Sequence, residues 1–391
     1  MSTQFSSIDT KGFSGRIPEL DGIRGIAILL VLIWHYGVRQ IKVESHPLIS
    51  YAINALGLTW SGVDLFFVLS GFLIGGVLLD NKYASNYFKV FYIRRICRIF
   101  PLYFLWLSIF VWIVYQAPDL AKEYPFRWLF GDPMPLLSYA TYTQNIVMAQ
   151  KGFFGSNWLG ITWSLALEEQ FYLIAPFIIY FIPLKKLPYV LAFLILTAPL
   201  CRLGFYYFHP HMGFTSHILM PCRIDALLLG VLCAYTTRHE GFMSYITSHL
   251  TLLYGAFFIL LIGAASLALR SQSIGSWAMS AYGYSVLALL YSCFLLIAVT
   301  EQHGPISAIA RNSLLQSMGL IAYGIYMFHQ GFSGLVHGIL LKQSPQIRGG
   351  LDLMVTLGAL FLTLIAAYVS WTFFEKPIVK VGHFLKYQKV P

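Results

Sequence analysis

The sequence predicts an all-α membrane protein that crosses the bilayer about ten times. Hydrophobic residues make up 58% of the chain and charged residues only 11%, against roughly 25% charged in an average soluble domain. Aromatic residues reach 17%, as expected where rings pack between helices and sit at the membrane surface. The apolar residues form many runs of spanning length. We therefore expect a single polytopic membrane domain over residues 1–391, with its motifs within about 17–380.

Ten apolar runs are candidate membrane spans. They are 20–40, 60–80, 98–116, 161–183, 187–207, 224–238, 249–269, 280–300, 317–340 and 351–374. No cleavable signal peptide is expected, because the chain starts with polar residues and its first apolar run is too long. With ten spans both termini share one side, and 16 of the 26 Lys and Arg residues would lie there. This bias predicts cytoplasmic termini and a multi-pass protein of the inner (plasma) membrane.

The charge distribution and the Cys and His residues argue against nucleic-acid binding, disulfide bonds and a metal site. The net charge of +10 would suggest nucleic acid in a soluble protein, but the cations fall in short loops between apolar runs. Membrane orientation explains them better, so the bilayer and not nucleic acid is the expected partner. The five Cys residues show no paired spacing and are expected to be free. His209, His211 and His217 have no carboxylate nearby in the sequence, and we predict no metal site.

The first span carries two polar groups, Arg24 and His35, in the segment LDGIRGIAILLVLIWHYG. A separation of eleven residues is about three helical turns, so both side chains are expected on one face, roughly 16 Å apart along the axis. Charged and titratable groups inside a membrane are costly and usually serve a function. This segment is therefore the first candidate for a functional site.

Three arginines precede the third span in FYIRRICRIFPLY: Arg94, Arg95 and Arg98. Their spacing of three and four residues indicates one helix face. The guanidinium fork suits phosphate oxygens. An ordinary positively charged stop at the inner membrane face is the other interpretation. Since Arg24 also lies at the inner end of its span, these arginines could line one anion pocket.

Further polar side chains interrupt other apolar segments. Glu168 and Glu169 lie early in WSLALEEQFYLIAP and are expected to pair with a His or Arg from another span. The remaining candidates for contact with a substrate are Asp64, Trp158, Trp163, Arg223, Asp225, Tyr326 and His329. Each alone could be an inter-helix hydrogen bond, but together they favour a polar chamber. The long loop of about 117–160 is expected outside, with Trp158 at the rim of the acceptor entrance.

The chemistry expected of this chamber is general-base catalysis. The sequence holds no GxSxG, HExxH, P-loop or GxGxxG motif. A buried histidine with a carboxylate partner and no nucleophile motif suits removal of a proton from a substrate hydroxyl. We expect Glu168 or Glu169 to orient His35, with Glu169 favoured because it lies nearer the middle of the span.

The motifs as an ordered set resemble acyltransferase family 3, membrane proteins that acylate, usually acetylate, hydroxyls of sugars and related acceptors. The resemblance runs from Leu20 to Pro377. It rests on the segment with Arg24 and His35, followed by GVDLFFVLSGFLIGG, RRICRIFPLY, WSLALEEQFYLIAP, RIDALLLG, YGIYMFH and FFEKP. Any one of these is weak, whereas the order is specific.

The resemblance implies a membrane O-acetyltransferase with acyl-CoA, most simply acetyl-CoA, as a cytosolic donor substrate and with no bound cofactor. It also implies that His35 is the base and that the inner arginines hold the donor. Some relatives carry an extra span and a periplasmic SGNH hydrolase-like domain. Neither is expected in this chain, so any two-step relay would need a separate periplasmic or glycosyltransferase partner.

Two alternatives stay open at this point. A proton-coupled transporter would also bury His, Glu and Arg, although the inverted repeats and broken spans usual in that class are not visible. Among acyltransferases, succinyl or longer acyl groups and lipid or antibiotic acceptors compete with sugar O-acetylation. The sequence does not identify the acceptor.

Overall fold

Residues 17–42, 47–209, 214–270 and 273–388 are described by the structure, a computed structural model. The predicted cytoplasmic termini and His211 lie outside these residues. The described segments are helical and carry no strand beyond one parallel bridge between Ile41 and Ile347. The predicted all-α fold class is therefore confirmed.

Ten long helices correspond to the ten predicted spans. They are α1 (Pro18–Leu32), α3 (Gly62–Asp80), α4 (Tyr87–Gln116), α9 (Trp163–Phe181), α10 (Leu187–Phe208), α12 (Met220–Thr236), α14 (Leu250–Leu269), α15 (Tyr284–Thr300), α18 (Ala322–Leu340) and α19 (Gly350–Ser370). Shorter helices connect them: α2 (Pro47–Ala55), α5 (Arg127–Phe130), α6 (Leu136–Ala140), α7 (Gln144–Lys151), α8 (Asn157–Gly160), α11 (Thr215–Ile218), α13 (Glu240–Ser248), α16 (Pro305–Ala310), α17 (Ser313–Leu320) and α20 (Lys376–Phe384).

Eight helical segments within the described ranges are long and apolar enough to cross a membrane. The two helices missing from that set, α9 and α18, are each 19 residues long. They carry the polar residues Glu168, Glu169, Tyr326 and His329, which lower their hydropathy. Because placing polar side chains in lipid is unfavourable, these helices must turn them toward a polar interior. These two helices therefore bring several of the candidate site residues into the bundle.

Helix α4 begins earlier than the sequence predicts. It starts at Tyr87 rather than at residue 98 and runs for 30 residues through Pro101. At 1.5 Å per residue it is about 45 Å long, whereas the hydrocarbon core of a bilayer is about 30 Å thick. The three arginines at 94, 95 and 98 therefore lie within the same continuous helix as the third span.

Three long helices contain π-helical segments. These are Ile33–Val38 at the end of α1, Met279–Gly283 before α15 and Trp371–Glu375 after α19. The first segment carries His35. A π turn inserts one residue into the α-helical register, and such turns occur frequently at functional sites.

Glycines bring α3 and α12 close together. A Cβ atom on Gly230 would lie 2.0 Å from the carbonyl oxygen of Val68, and one on Gly71 would lie 1.9 Å from that of Leu227. Such backbone approach excludes any larger residue and is typical of packing between membrane helices. It places the start of α12 directly against the polar end of α3.

Candidate active site

Two cavities with lining residues in common lie among the helices. The arginine cavity, about 150 Å³, is lined by Arg24, Ser70, Arg95, Arg98, Glu168 and Tyr172 among others. The histidine cavity, about 380 Å³, is lined by Trp34, His35, Arg39, Trp60, Trp163 and Gln330 among others. Val63 and Tyr326 line both cavities and form the wall between them. Arg24 and His35 thus reach two adjoining cavities, and not one shared chamber as the sequence suggested.

A backbone hydrogen bond fixes which ring nitrogen of His35 carries the proton. Its Nδ1 lies 3.0 Å from the carbonyl oxygen of Val31. Because a carbonyl only accepts, Nδ1 carries the proton and donates it there. The other ring nitrogen, Nε2, then holds a lone pair. The side chain lines the histidine cavity, so this lone pair belongs to the wall of a space that a substrate can occupy.

Residues that flank His35 fix its backbone. Gln40 Nε2 donates to the carbonyl oxygen of His35 at 2.8 Å and to Ser333 Oγ at 3.1 Å. The Tyr36 hydroxyl donates to the carbonyl oxygen of His329 at 2.8 Å. These bonds join the π segment to α18. Sequence reasoning missed Tyr36 and Gln40, although each lies within five residues of His35.

The glutamate partner expected for His35 is not present in the structure. Glu168 lines the arginine cavity and accepts a hydrogen bond from the Tyr172 hydroxyl at 3.1 Å. Glu169 Oε1 is buried with no hydrogen-bond partner in the described part of the chain. The helix direction explains this. Ser164, whose Oγ lies 2.6 Å from the Tyr326 hydroxyl, sits at the wall, and Glu168 lies one turn further toward the arginines.

The arginine cluster divides into two parts. Arg95 and Arg98 line the arginine cavity, together with Arg24. Arg24 Nη1 is 2.7 Å from Asp21 Oδ1, and Arg98 Nη1 is 3.9 Å from Glu375 Oε2. No hydrogen bond or ion pair to another described residue is recorded for Arg95. Unlike Arg24 and Arg98, Arg95 is thus not at ion-pair distance from any described carboxylate.

Arg94 points away from this cavity. It donates to the carbonyl oxygen of Leu385 at 2.7 Å, and its guanidinium lies 5.1 Å from the centre of the Tyr387 ring. Burial raises the pKa of Tyr387, so the ring stays neutral beneath the cation. The sequence grouped Arg94 with the donor-binding arginines. Adjacent positions differ by about 100° around a helix, and this turns Arg94 toward the C-terminal segment.

Asp64, Arg223 and Asp225 form a buried ionic network and line neither cavity. Arg223 pairs with Asp64, and Arg202 Nη1 lies 2.9 Å from Asp225 Oδ2. All four side chains are at most 2% exposed. The sequence made three of them substrate contacts. Because Arg202 and Arg223 neutralise the carboxylates inside the bundle, their role in the structure is to join α3, α10 and α12.

Removing one partner of this network should destabilise the protein. We expect Arg223→Leu to lower the stability by about 3–5 kcal/mol, because Asp64 would remain charged and buried. Thermal unfolding in detergent measures this. The double variant Asp64→Leu with Arg223→Leu should recover most of the loss, and the exposed pair of Lys122 with Asp119 is the control, at about 0–1 kcal/mol for Lys122→Ala. An equal loss in the single and double variants would contradict the pairing.

The two tryptophans expected at the acceptor entrance have different places. Trp163 lines the histidine cavity. Trp158 is 2% exposed and stacks on Trp106 with ring centres 4.1 Å apart. It packs the loop of residues 117–160 against the bundle and does not form the rim. The loop reaches the cavity instead through Phe154, Asn157 and Gly160.

His329 and several residues that sequence reasoning missed complete the site. His329 is fully buried on α18, and its ring centre lies 4.7 Å from that of His35. The missed residues of the two cavities include Trp34, Arg39, Trp60, Ser70, Tyr172 and Gln330. Tyr172 could have been found from the sequence, because it follows Glu168 by four residues and so shares its helix face. Trp60 and Gln330 carry no such signal, since only the helix packing brings them to His35.

Comparison with known proteins gives a family match over most of the chain. A family model described as an acyltransferase domain matches residues 17–375. A protein of Staphylococcus aureus (strain COL) named as a candidate O-acetyltransferase is 26% identical over 95% of this chain and 60% of its own length. O-acetyltransferase OatA of S. aureus (strain NCTC 8325 / PS 47) is 25% identical over 94% of this chain and 58% of its own. The chain thus spans about 60% of the length of these relatives. No solved structure matches it.

Proposed function

Because the chain belongs to the acyltransferase domain family, whose model covers residues 17–375, we propose that it moves an acyl group from cytosolic acyl-CoA to a hydroxyl of a sugar or related acceptor. Acetyl is the proposed acyl group, since the relatives are named as O-acetyltransferases. The observation that carries the proposal is the position of His35. The side chain, with the lone pair on its Nε2, lines a cavity that shares Val63 and Tyr326 with a cavity lined by arginines.

The arginine cavity suits the anionic end of the donor. CoA carries phosphates, and the guanidinium fork binds phosphate oxygens through paired hydrogen bonds. Arg95 would make the primary contact, and Arg24 and Arg98 would add positive charge. The long pantetheine arm would then extend past Val63 and Tyr326. His35 lies roughly 16 Å from Arg24 along α1, at 1.5 Å per residue.

The histidine cavity suits the acceptor. Trp34, Trp60 and Trp163 supply broad apolar faces against which sugar rings stack, and Gln330 supplies an amide. The His35 Nε2 atom takes the proton of the acceptor hydroxyl as the oxygen attacks the thioester carbonyl. The C–S bond then breaks, and the CoA thiolate receives the proton. Holding both reactants in line in adjoining cavities removes much of the entropic cost of the reaction.

Transfer from purified protein tests this function. The protein in nanodiscs is supplied with acetyl-CoA, succinyl-CoA or palmitoyl-CoA, with methyl glycosides as acceptors, and released CoA thiol and acylated glycoside are measured. We expect release with acetyl-CoA above that of empty nanodiscs. Mass spectrometry of cell-surface glycans, with and without the protein, then identifies the natural acceptor. No acyl transfer in either assay would contradict the proposed function.

The donor route requires a defined topology, which gives a further prediction. Both termini should face the cytoplasm of the inner membrane, and residues 117–160 should lie outside. In a cysteine-free background, Lys122→Cys should react with an impermeant thiol reagent on intact cells. Tyr83→Cys, equally exposed in the turn between α3 and α4, is the matched control and should react only after permeabilisation. The reverse labelling pattern would place the arginine cavity on the outer side of the membrane, away from cytosolic acyl-CoA, and would contradict the proposed donor route.

A further inference from the structure

His329 is a fully buried histidine whose second nitrogen has no partner. Its Nδ1 lies 2.7 Å from the carbonyl oxygen of Tyr326, so Nδ1 carries the proton and Nε2 holds a lone pair. That Nε2 is buried and accepts no hydrogen bond from the described residues. Buried polar atoms are nearly always satisfied, and an exception calls for an explanation.

The neighbour of this unsatisfied atom is the proposed base. The rings of His35 and His329 have centres 4.7 Å apart and an interplanar angle of 58°. Each ring donates its Nδ1 proton to a carbonyl of its own helix. Each Nε2 is therefore an acceptor, and two acceptors cannot bond to each other. A proton placed on His35 Nε2 makes that atom a donor beside the His329 ring, and the lone pair of His329 Nε2 can accept it once the two rings turn toward each other.

The charged and titratable groups described around His35 include no anion that could stabilise its protonated form. Arg39 follows His35 on the first helix, His217 enters from α11 and Tyr326 lies one turn before His329. None of these is an anion, and no carboxylate lines the histidine cavity among the residues the structure describes. The carboxylate of Glu168 is on the far side of the wall. A protonated His35 thus faces a neutral acceptor, His329, and not a counter-ion.

We propose that His329 is a positioning residue that stabilises the protonated state of His35 during transfer. This inference rests on the proposed function. The acceptor O–H bond breaks, its oxygen bonds to the acyl carbon, and its proton moves to His35 Nε2. His329 Nε2 accepts a hydrogen bond from that proton until the departing CoA thiolate takes it. The rigid backbone supports this role, since Gln40 holds the carbonyl of His35 and Tyr36 holds that of His329.

Reaction with diethylpyrocarbonate tests the pair without donor or acceptor. The reagent modifies only unprotonated imidazole, so mass spectrometry of the peptide carrying His35 gives the pH midpoint of its protonation. His329→Leu removes the acceptor, and we expect the midpoint to fall by about one pH unit or more, as loss of a hydrogen bond to a charged group implies. His329→Gln keeps an acceptor oxygen and should restore most of the shift.

The matched control is His337→Gln on the same helix. His337 is also buried, with Nδ1 2.9 Å from the Ser333 carbonyl oxygen, and it lines neither cavity. Its replacement should leave the midpoint unchanged. An unchanged midpoint in His329→Leu, or the same fall in His337→Gln, would overturn the inference. Turnover should fall about 10-fold or more in His329→Leu with the KM for acetyl-CoA unchanged. If His35→Ala lost acyl transfer but His329→Leu did not, the proposed function would hold and only the role of His329 would be overturned.

Discussion

Replacement of His35 by alanine is expected to lower acyl transfer by about 10²- to 10⁴-fold, the usual contribution of a general base. The variant keeps the helix, because alanine favours it and the histidine cavity tolerates a smaller side chain. Released CoA thiol from acetyl-CoA measures the rate, and thermal unfolding in detergent checks the fold. We expect the KM for acetyl-CoA to change little, since His35 lines the histidine cavity and not the arginine cavity.

His249→Ala provides the control for this variant. His249 is exposed between α13 and α14, with Nδ1 2.9 Å from the Tyr245 carbonyl oxygen, and its loss should leave the rate unchanged. If His35→Ala retained more than about a tenth of the wild-type turnover, His35 could not be the base. The proton acceptor would then have to be sought at another group of the same cavity.

The second large effect is expected from Arg95. We expect Arg95→Ala to weaken acetyl-CoA binding by about 10- to 100-fold, because a charge-assisted hydrogen bond contributes about 1.5–3 kcal/mol. Arg24→Ala should act in the same direction but less strongly, since its guanidinium is shared with Asp21. Calorimetric titration of the protein in nanodiscs with CoA measures the affinity. Higher ionic strength should weaken wild-type binding as well.

Arg94→Ala is the matched control, one residue away on the same helix. Arg94 bonds to the carbonyl oxygen of Leu385 and lines neither cavity, so its loss should not change CoA affinity. Arg95→Lys should recover only part of the loss, because a single ammonium cannot reproduce the guanidinium fork. If Arg94→Ala and Arg95→Ala weakened CoA binding equally, the arginines would act only as general positive charge at the membrane face, and Arg95 would not be a specific contact.

The helices could be predicted from the sequence because the hydropathy of a segment reflects the free energy of placing it in lipid. All ten predicted spans contain a long helix, and even the short sixth span is found as Met220–Thr236. The early start of α4 could not be predicted, because residues before 98 are too polar to count as part of a span. The π-helical segments could not be predicted either, since they arise from packing between helices and have no characteristic composition.

The sequence identified several residues of the site, but it did not predict which of them contact each other. The costs of burying His35, Arg24 and Glu168 identified them as residues of interest. Which group meets which depends on how helices rotate against each other, and one position on a helix changes a side chain's direction by about 100°. For that reason Glu168 lies with the arginines and His35 has His329 as its neighbour.

The wall between the cavities has a consequence for the membrane itself. A continuous wet path through a helical bundle would conduct protons and discharge the membrane potential, which is worth about 2.3 kcal/mol per elementary charge at 100 mV. Tyr326 lies where the two cavities meet, with its hydroxyl 2.6 Å from Ser164 Oγ and 2.9 Å from the carbonyl oxygen of Ile161. If the donor takes the proposed route past Tyr326, the same point would serve as the electrical seal, and the passing chain would fill the opening that it makes.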